Sequence, residues 1–237
     1  MIDRIDELIN ELYKAKIVHQ QTQIKALKAQ INPHFLYNTL ETISSIAKIR
    51  KVKEISSIAQ GLSSMFRYSI KTGSDVVRLS SEIGNVKNYL SILKIRFEDK
   101  LDYEFSIPEE LNHYKIYKLI LQPIVENAVH HGIELKKEGG LIKVDAALIN
   151  NRLHITISDN GVGIEEAALT KIRWKLSLKD SFMDEKLSEG IGMSNVNARL
   201  ALYYKENFQF KIDSIYGEGT VVEIIIPAEL YEEDSNV

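Results

Sequence analysis

Asp159-Asn160-Gly161-Val162-Gly163 follows directly on an alternating run, Leu153–Ser158, and its reading decides how the second half of the chain folds. A carboxylate at a strand end followed by two glycines makes a turn where backbone comes close to a ligand, because a side chain there would collide. Working outward, Ile142–Ile149 also alternates, and Asn150-Asn151 between the two runs signals a hairpin. Phe208–Ile215 and Val221–Pro227 flank Tyr216-Gly217-Glu218-Gly219 as a final hairpin, and Asp102–Ile107 predicts one more strand. Ile116–His131 predicts a buried helix stopped at Gly132, and Ile164–Trp174 and Asn195–Tyr204 predict two others. Residues 99–228 therefore read as an α/β unit, followed by an acidic tail, 229–237.

The first half has a different texture. Residues 1–30 contain no Gly and no Pro. Ile2, Ile5, Ile9 and Leu12 step as a coiled-coil seam, which slips and resumes at Ile17, Ile24, Leu27 and Ile31. The seam predicts a helix that pairs with a second copy; an amphipathic helix folded back on its own domain is the alternative. Leu36, Leu40, Ile43 and Ala47 form an apolar stripe after Pro33. Ile55, Ile58, Leu62, Met65 and Phe66 form another, ending near Gly73. A third helix is expected over Glu82–Phe97, with Ile83, Val86, Leu90 and Leu93 inward and Ser80 or Ser81 as cap. The expected organisation is a linker helix over 1–25, a helical region over 26–98 and the α/β unit.

The chain has 237 residues, 44% hydrophobic and 27% charged, an ordinary soluble composition for one or two domains. A net charge of −3 argues against a nucleic-acid partner held by bulk charge. The absence of cysteine excludes disulfides and thiolate metal sites and fits the cytoplasm. No apolar run is long enough to cross a membrane.

Four elements of the second half suit a bound nucleotide. Asn127, inside the helix from Ile116, offers an uncharged oxygen to a Mg²⁺ ion that also takes phosphate and water ligands. Asp159 can accept the adenine amino proton, with Gly161 and Gly163 beside it. Gly190 and Gly192 precede a helix whose free N–H groups and dipole favour phosphate. Gly219-Thr220 adds a hydroxyl in the last hairpin. Residues 165–189, polar and weakly patterned toward their end, are expected to close over the nucleotide as a lid. Any one glycine pair alone reads as a turn; the order of the four points to ATP.

A second constellation lies at Gln30-Ile31-Asn32-Pro33-His34-Phe35-Leu36-Tyr37-Asn38-Thr39-Leu40. His34, Asn38, Glu41, Ser45 and Lys48 share one helix face, nearly opposite the apolar stripe. Pro33 just before His34 fits a helix start or kink that could expose the imidazole, which otherwise reads as a satisfied core or surface histidine. Glu41 lies too far along the helix to orient it; Glu126, beside Asn127, is a candidate base or simply a capping carboxylate. Lys48, Arg50, Lys51 and Lys53 form a basic cluster, either a solvated face or a docking surface.

These residues resemble a known family. Asn127, Asp159 with Gly161 and Gly163, Gly190 with Gly192, and Gly219-Thr220 look like the nucleotide boxes of the GHKL ATPase superfamily. That resemblance implies a mixed five-stranded sheet with helices on one face. The stretch around His34, with Leu121-Gln122-Pro123-Ile124-Val125-Glu126-Asn127-Ala128, Gly190 through Leu200, and Asn88-Tyr89-Leu90 through Phe97, is similar to LytS/YesM-type sensor histidine kinases. The resemblance implies His34 as phosphoacceptor and a homodimer, with an aspartate on a response regulator receiver domain as the next acceptor. It also implies that membrane and sensing segments precede Met1–Tyr13, which resembles the closing helix of a HAMP linker. An amide at the offset of Asn38 implies a role in positioning water for dephosphorylating the regulator. His130 stands where many histidine kinases carry Lys or Arg toward phosphate, and Phe35 where other branches carry an acid. The rival reading is a GHKL pseudokinase or binding module that senses ATP without phosphorylating itself.

Overall fold

A computed structural model describes residues 33–70, 75–177 and 191–232. The expected coiled coil, the HAMP-like segment, Gly190 and the later part of the lid lie outside the described residues.

Pro33 opens α1, Pro33–Ile49, where its missing N–H costs nothing. The helix ends in a Schellman turn: Val52 N–H donates to Ala47 O (2.9 Å) and Lys51 N–H to Lys48 O (3.0 Å), with Lys51 at φ 59°. α2, Lys53–Ile70, returns antiparallel. Small residues let the two helices close: Ser44, Ala47, Ser56 and Ala59 are buried, and the Ser44 and Ser56 hydroxyls bond at 3.0 Å. Gly61 lets α2 settle on the next helix, where an added Cβ would lie 2.9 Å from Ile92 Cδ1. The long residues of the expected α2 stripe are only partly covered, and Ile55 and Phe66 are exposed.

β1, Val76–Arg78, leads into α3, Leu79–Phe97. Arg78, not a serine, precedes the helix, and no side chain caps it. Instead Leu79 N–H donates to Tyr114 O at 2.7 Å, so Ser80 and Ser81 fall inside the first turn. Leu79, Ile83, Val86, Leu90 and Leu93 share one core with Leu101, Ile116, Ile142, Ile155 and Val222.

The remaining strands are β2, Leu101–Ser106; β3, Lys115–Tyr117; β4, Gly140–Ile149; β5, Arg152–Asp159; β6, Gln209–Ile215; and β7, Gly219–Pro227. β1 and β3 pair antiparallel; the main sheet runs β2-β4-β5-β7-β6, with β2 parallel to β4 and the other pairs antiparallel. Asn150 and Asn151, at φ 50° and 57°, make the expected tight hairpin between β4 and β5. The helices are α4, Gln122–Asn127; α5, Glu166–Ser177; and α6, Ile191–Tyr204. They cover the apolar face of the sheet. The opposite face carries charged pairs such as Lys143–Glu104 and Lys211–Glu223.

The expected single helix over Ile116–His131 is corrected. Ile116 pairs in β3, Leu119 turns at φ 60°, and α4 begins at Gln122 with Pro123 in its first turn. Proline lacks an N–H and fits only there. Beyond Asn127 the helix widens into a π-helical turn, Ala128–Ile133, with Glu134 N–H donating to Val129 O at 2.8 Å. Such turns concentrate at functional sites.

Candidate functional site

β5 ends at Asp159, paired with Ile142 on one side and Thr220 on the other. Its Oδ1 accepts the Gly161 N–H at 2.8 Å. Burial pushes the carboxyl up to about 6, against the Gly161 and Thr220 N–H bonds and the Lys136 charge. An added Cβ at Gly132 would lie 2.6 Å from Asp159 Oδ1, and one at Gly161 would lie 2.4 Å from Gly132 Cα. The π-helical turn thus lays Gly132 directly on the carboxylate.

The last hairpin closes the floor. Gly219, at φ 140°, passes so near β5 that a Cβ would lie 1.9 Å from Asp159 O. Gly163, at φ 67°, is as tightly held against Ile215 O, at 2.1 Å. Ser214 joins these segments: its Oγ accepts Ile164 N–H (2.9 Å), donates to Gly219 O (2.7 Å) and lies 3.0 Å from Thr220 Oγ1. Ser214 carries no sequence signal, since a serine in an alternating strand looks like any outward position.

Between α4, α5, α6 and the sheet lies a cavity of about 830 Å³, lined by Asn127, His131, Asp159, Gly163, Ser194 and Thr220 among others. That is nucleotide-sized. Among the described residues Asn127 Nδ2 is buried with no partner, and Gly192 in the first turn of α6 leaves room for it: a Cβ there would lie 2.9 Å away. The free N–H groups of that turn favour anions. Among the described residues no cluster of three metal-ligating side chains occurs. An uncharged amide oxygen such as Asn127 Oδ1 is of the donor type that suits a divalent ion bringing phosphate ligands with it.

The other expected residues fall elsewhere. His130 does not line the cavity; its Nδ1 lies 2.8 Å from Glu134 Oε2 and its Nε2 3.5 Å from Tyr89 Oη. Its neighbour His131 takes the inward place. Glu126 lines a second cavity, of about 620 Å³, with Gln122 and Arg199. Its Oε1 accepts Gln122 Nε2 (2.7 Å), while Gln122 Oε1 accepts Asn85 Nδ2 from α3 (2.6 Å).

His34 stands exposed on α1, and no residue of α1 or α2 lines the nucleotide-sized cavity. Asn38 reaches the imidazole: its Nδ2 lies 3.3 Å from His34 Nδ1. One turn of helix separates them, and both side chains lean over it. α1 also has a second apolar face beyond the expected stripe: Phe35 is 68% exposed, Ile46 55% and Ile49 79%.

Fold and cavity together define an ATP-site architecture of a known class. Residues 114–230 match the family described as "Histidine kinase-, DNA gyrase B-, and HSP90-like ATPase", and residues 22–101 match the family described as "Histidine kinase". The chain belongs to the sensor histidine kinase family, in the LytS/YesM branch of the GHKL superfamily. It is similar to the sensor histidine kinase YesM of Bacillus subtilis, 35% identical over 96% of this chain and 37% of that protein. It is also similar to the sensor protein kinase HptS of Staphylococcus aureus, 30% identical over 94% of this chain and 41% of that one. The chain thus spans about two-fifths of the length of the curated relatives it matches. A histidine kinase domain from a blue-light activated kinase of Erythrobacter litoralis aligns at TM-score 0.47 and 14% identity, covering 83% of this chain and 94% of that one. Among the described residues no helix is long and apolar enough to cross a membrane.

Proposed function

We propose that this chain is the catalytic part of a membrane-anchored sensor histidine kinase that phosphorylates His34 from Mg·ATP and passes the phosphoryl group to an aspartate of a response regulator. The observation that carries the reading is the exposed imidazole of His34 on the polar face of α1, in a chain that also folds a nucleotide-sized cavity around a partnerless Asn127 amide.

Asp159 accepts the adenine amino proton. Gly161, Gly163 and Gly219 let the backbone pack closely around Asp159 and the last hairpin, Gly192 leaves room for the Asn127 amide, and Thr220 adds a hydroxyl. Asn127 Oδ1 would hold a Mg²⁺ ion, which would offset charge on the phosphates. A ring nitrogen of His34 forms the bond to the γ-phosphorus as the bond to the β,γ-bridging oxygen breaks; ADP leaves and the imidazole sheds its proton. Asn38 holds the ring through Nδ1, in a branch where Phe35 replaces the usual acid. Glu126 is the candidate base. Because α1 and α2 do not line the cavity, the transfer takes His34 to the cavity of a second copy.

The exposed Phe35, Ile46 and Ile49 face needs a partner helix, which a homodimer supplies. The basic cluster Lys48, Arg50, Lys51 and Lys53 stands exposed at the hairpin turn and suits an acidic receiver domain.

Phosphorylation of His34, scored with the chain and with His34→Gln, tests the reading. Asn38→Ala tests the division of labour. Its bond to His34 is long and exposed, so the kinase step falls by about fivefold or less. Regulator dephosphorylation, which needs the amide to orient water, slows by about tenfold or more. Wild-type dephosphorylation in that variant removes Asn38 from the phosphatase role; collapse of His34 phosphorylation places it in the kinase step.

A further inference from the structure

Glu82 is fully buried, 0% exposed, in the first turn of α3. It touches no cavity described above. Its two oxygens accept three successive backbone N–H groups: Leu119 at 3.0 Å, Ile120 at 2.7 Å and Leu121 at 2.9 Å. A fourth donor is the hydroxyl of Tyr68, near the end of α2. Burial pushes this carboxyl up, while the four donors pull it down. The segment it grips is the turn that starts α4, where Leu119 sits at φ 60°. The carbonyls of that turn are held from the other side, by Arg199 of α6 reaching Lys118 O (3.3 Å) and Leu119 O (3.2 Å).

α4 carries Gln122, Glu126 and Asn127. A second tie from α3, Asn85 to Gln122 to Glu126, runs along it. The left-handed turn at Leu119 costs about 1 kcal/mol for a residue with a Cβ and persists only where neighbours over-determine it. Here the neighbours are one buried carboxylate and one guanidinium. Tyr68 connects the carboxylate to the hairpin that bears His34.

We infer that Tyr68 and Glu82 are positioning residues: the Tyr68–Glu82 bond fastens the end of the His34 hairpin to the turn that sets the angle of α4, so that hairpin and nucleotide cavity are aligned as one unit for phosphoryl transfer. The bond acts through α4 and touches no substrate. Loss of the Tyr68 hydroxyl leaves Glu82 its three backbone donors, so the fold survives while the alignment loosens.

The inference rests on the kinase reading for its consequence, but its geometry is testable without it. Tyr68→Phe in the full chain is compared with the wild type by amide hydrogen exchange. Exchange at Leu119–Leu121 quickens by about tenfold, while Ile142–Val144 in β4 does not change. The variant then autophosphorylates with an ATP KM within about twofold of wild type and a kcat reduced about tenfold, as expected when a charge-assisted bond is lost outside the binding contacts. Tyr68→Phe added to Glu82→Gln lowers kcat no further than Glu82→Gln alone, because the Tyr68 hydroxyl then has no carboxylate left to hold.

Unchanged exchange at Leu119–Leu121 overturns the inference whatever the kinetics. So does quickened exchange with wild-type kcat, or a double variant whose losses multiply. If Tyr68→Phe quickens exchange throughout the sheet, the bond holds up the whole fold rather than positioning α4, and the inference is overturned. If the wild type binds nucleotide but never labels His34, the kinase reading falls and the exchange result alone decides whether the tie positions α4.

Discussion

Gly219→Ala loses about 3 kcal/mol or more of folding stability, and the nucleotide site goes with it. Two costs combine. The backbone at φ 140° is one that L residues rarely adopt, and the new methyl would begin 1.9 Å from the Asp159 carbonyl oxygen. That oxygen belongs to the backbone of β5, so no flexible side chain can give way. β7 must leave β5, taking Thr220 from its place opposite Asp159. Urea denaturation measures the loss as a lower midpoint with an unchanged slope. A shift under about 1 kcal/mol contradicts the close passage of the two strands. Gly217→Ala is the control: it shares a positive φ but meets nothing within 4 Å, so it pays the backbone strain alone.

Asp159→Asn weakens binding of a non-hydrolysable ATP analogue by about 1.5–3 kcal/mol, roughly 10- to 150-fold, as calorimetry reads it. An amide presents one acceptor without charge where the carboxylate presents a charged one. The pH dependence has a definite sign. Burial raises the Asp159 carboxyl from its ordinary value to about 6, so wild-type affinity declines as pH falls through that region and the acceptor is protonated. Asp159→Asn loses this dependence. Stability moves the other way. A carboxyl raised on folding stabilises the fold most below its unfolded value, and that contribution is lost as pH rises through about 6. At pH 8 the asparagine variant therefore binds worse while folding at least as well. A variant that binds as wild type does removes Asp159 from base recognition.

Much of this was legible in sequence because local patterns carried it. The β4–β5 hairpin follows from two alternating runs and Asn150-Asn151, and the cavity floor from glycines beside Asp159. What escaped the reading depends on distant partners. Ile116–Leu121 looks like the start of a helix until Glu82 takes three of its N–H groups from nearly forty residues away. The periodicity of Ile83 to Leu93 shows an amphipathic α3, but not that its apolar face joins the core of the sheet. His130 is placed toward the phosphates by the family resemblance alone, which carries no view of the local helix geometry. In the π-helical turn Ala128–Ile133 it is His131 that lines the cavity, while His130 lies beside Glu134. On α1 the apolar stripe through Leu36, Leu40, Ile43 and Ala47 is legible, although Ile43 stands exposed, whereas Phe35, Ile46 and Ile49 make a second face that one core does not need.

The account stands most directly on the fate of the γ-phosphate. The chain, incubated with Mg·ATP labelled in that position, is predicted to take up label that is lost in acid and kept in base, as a phosphoramidate on imidazole is. The label maps to the peptide that bears His34 and is absent from His34→Gln. Label that survives acid, label that persists in His34→Gln, or no label in a chain that binds the nucleotide contradicts it.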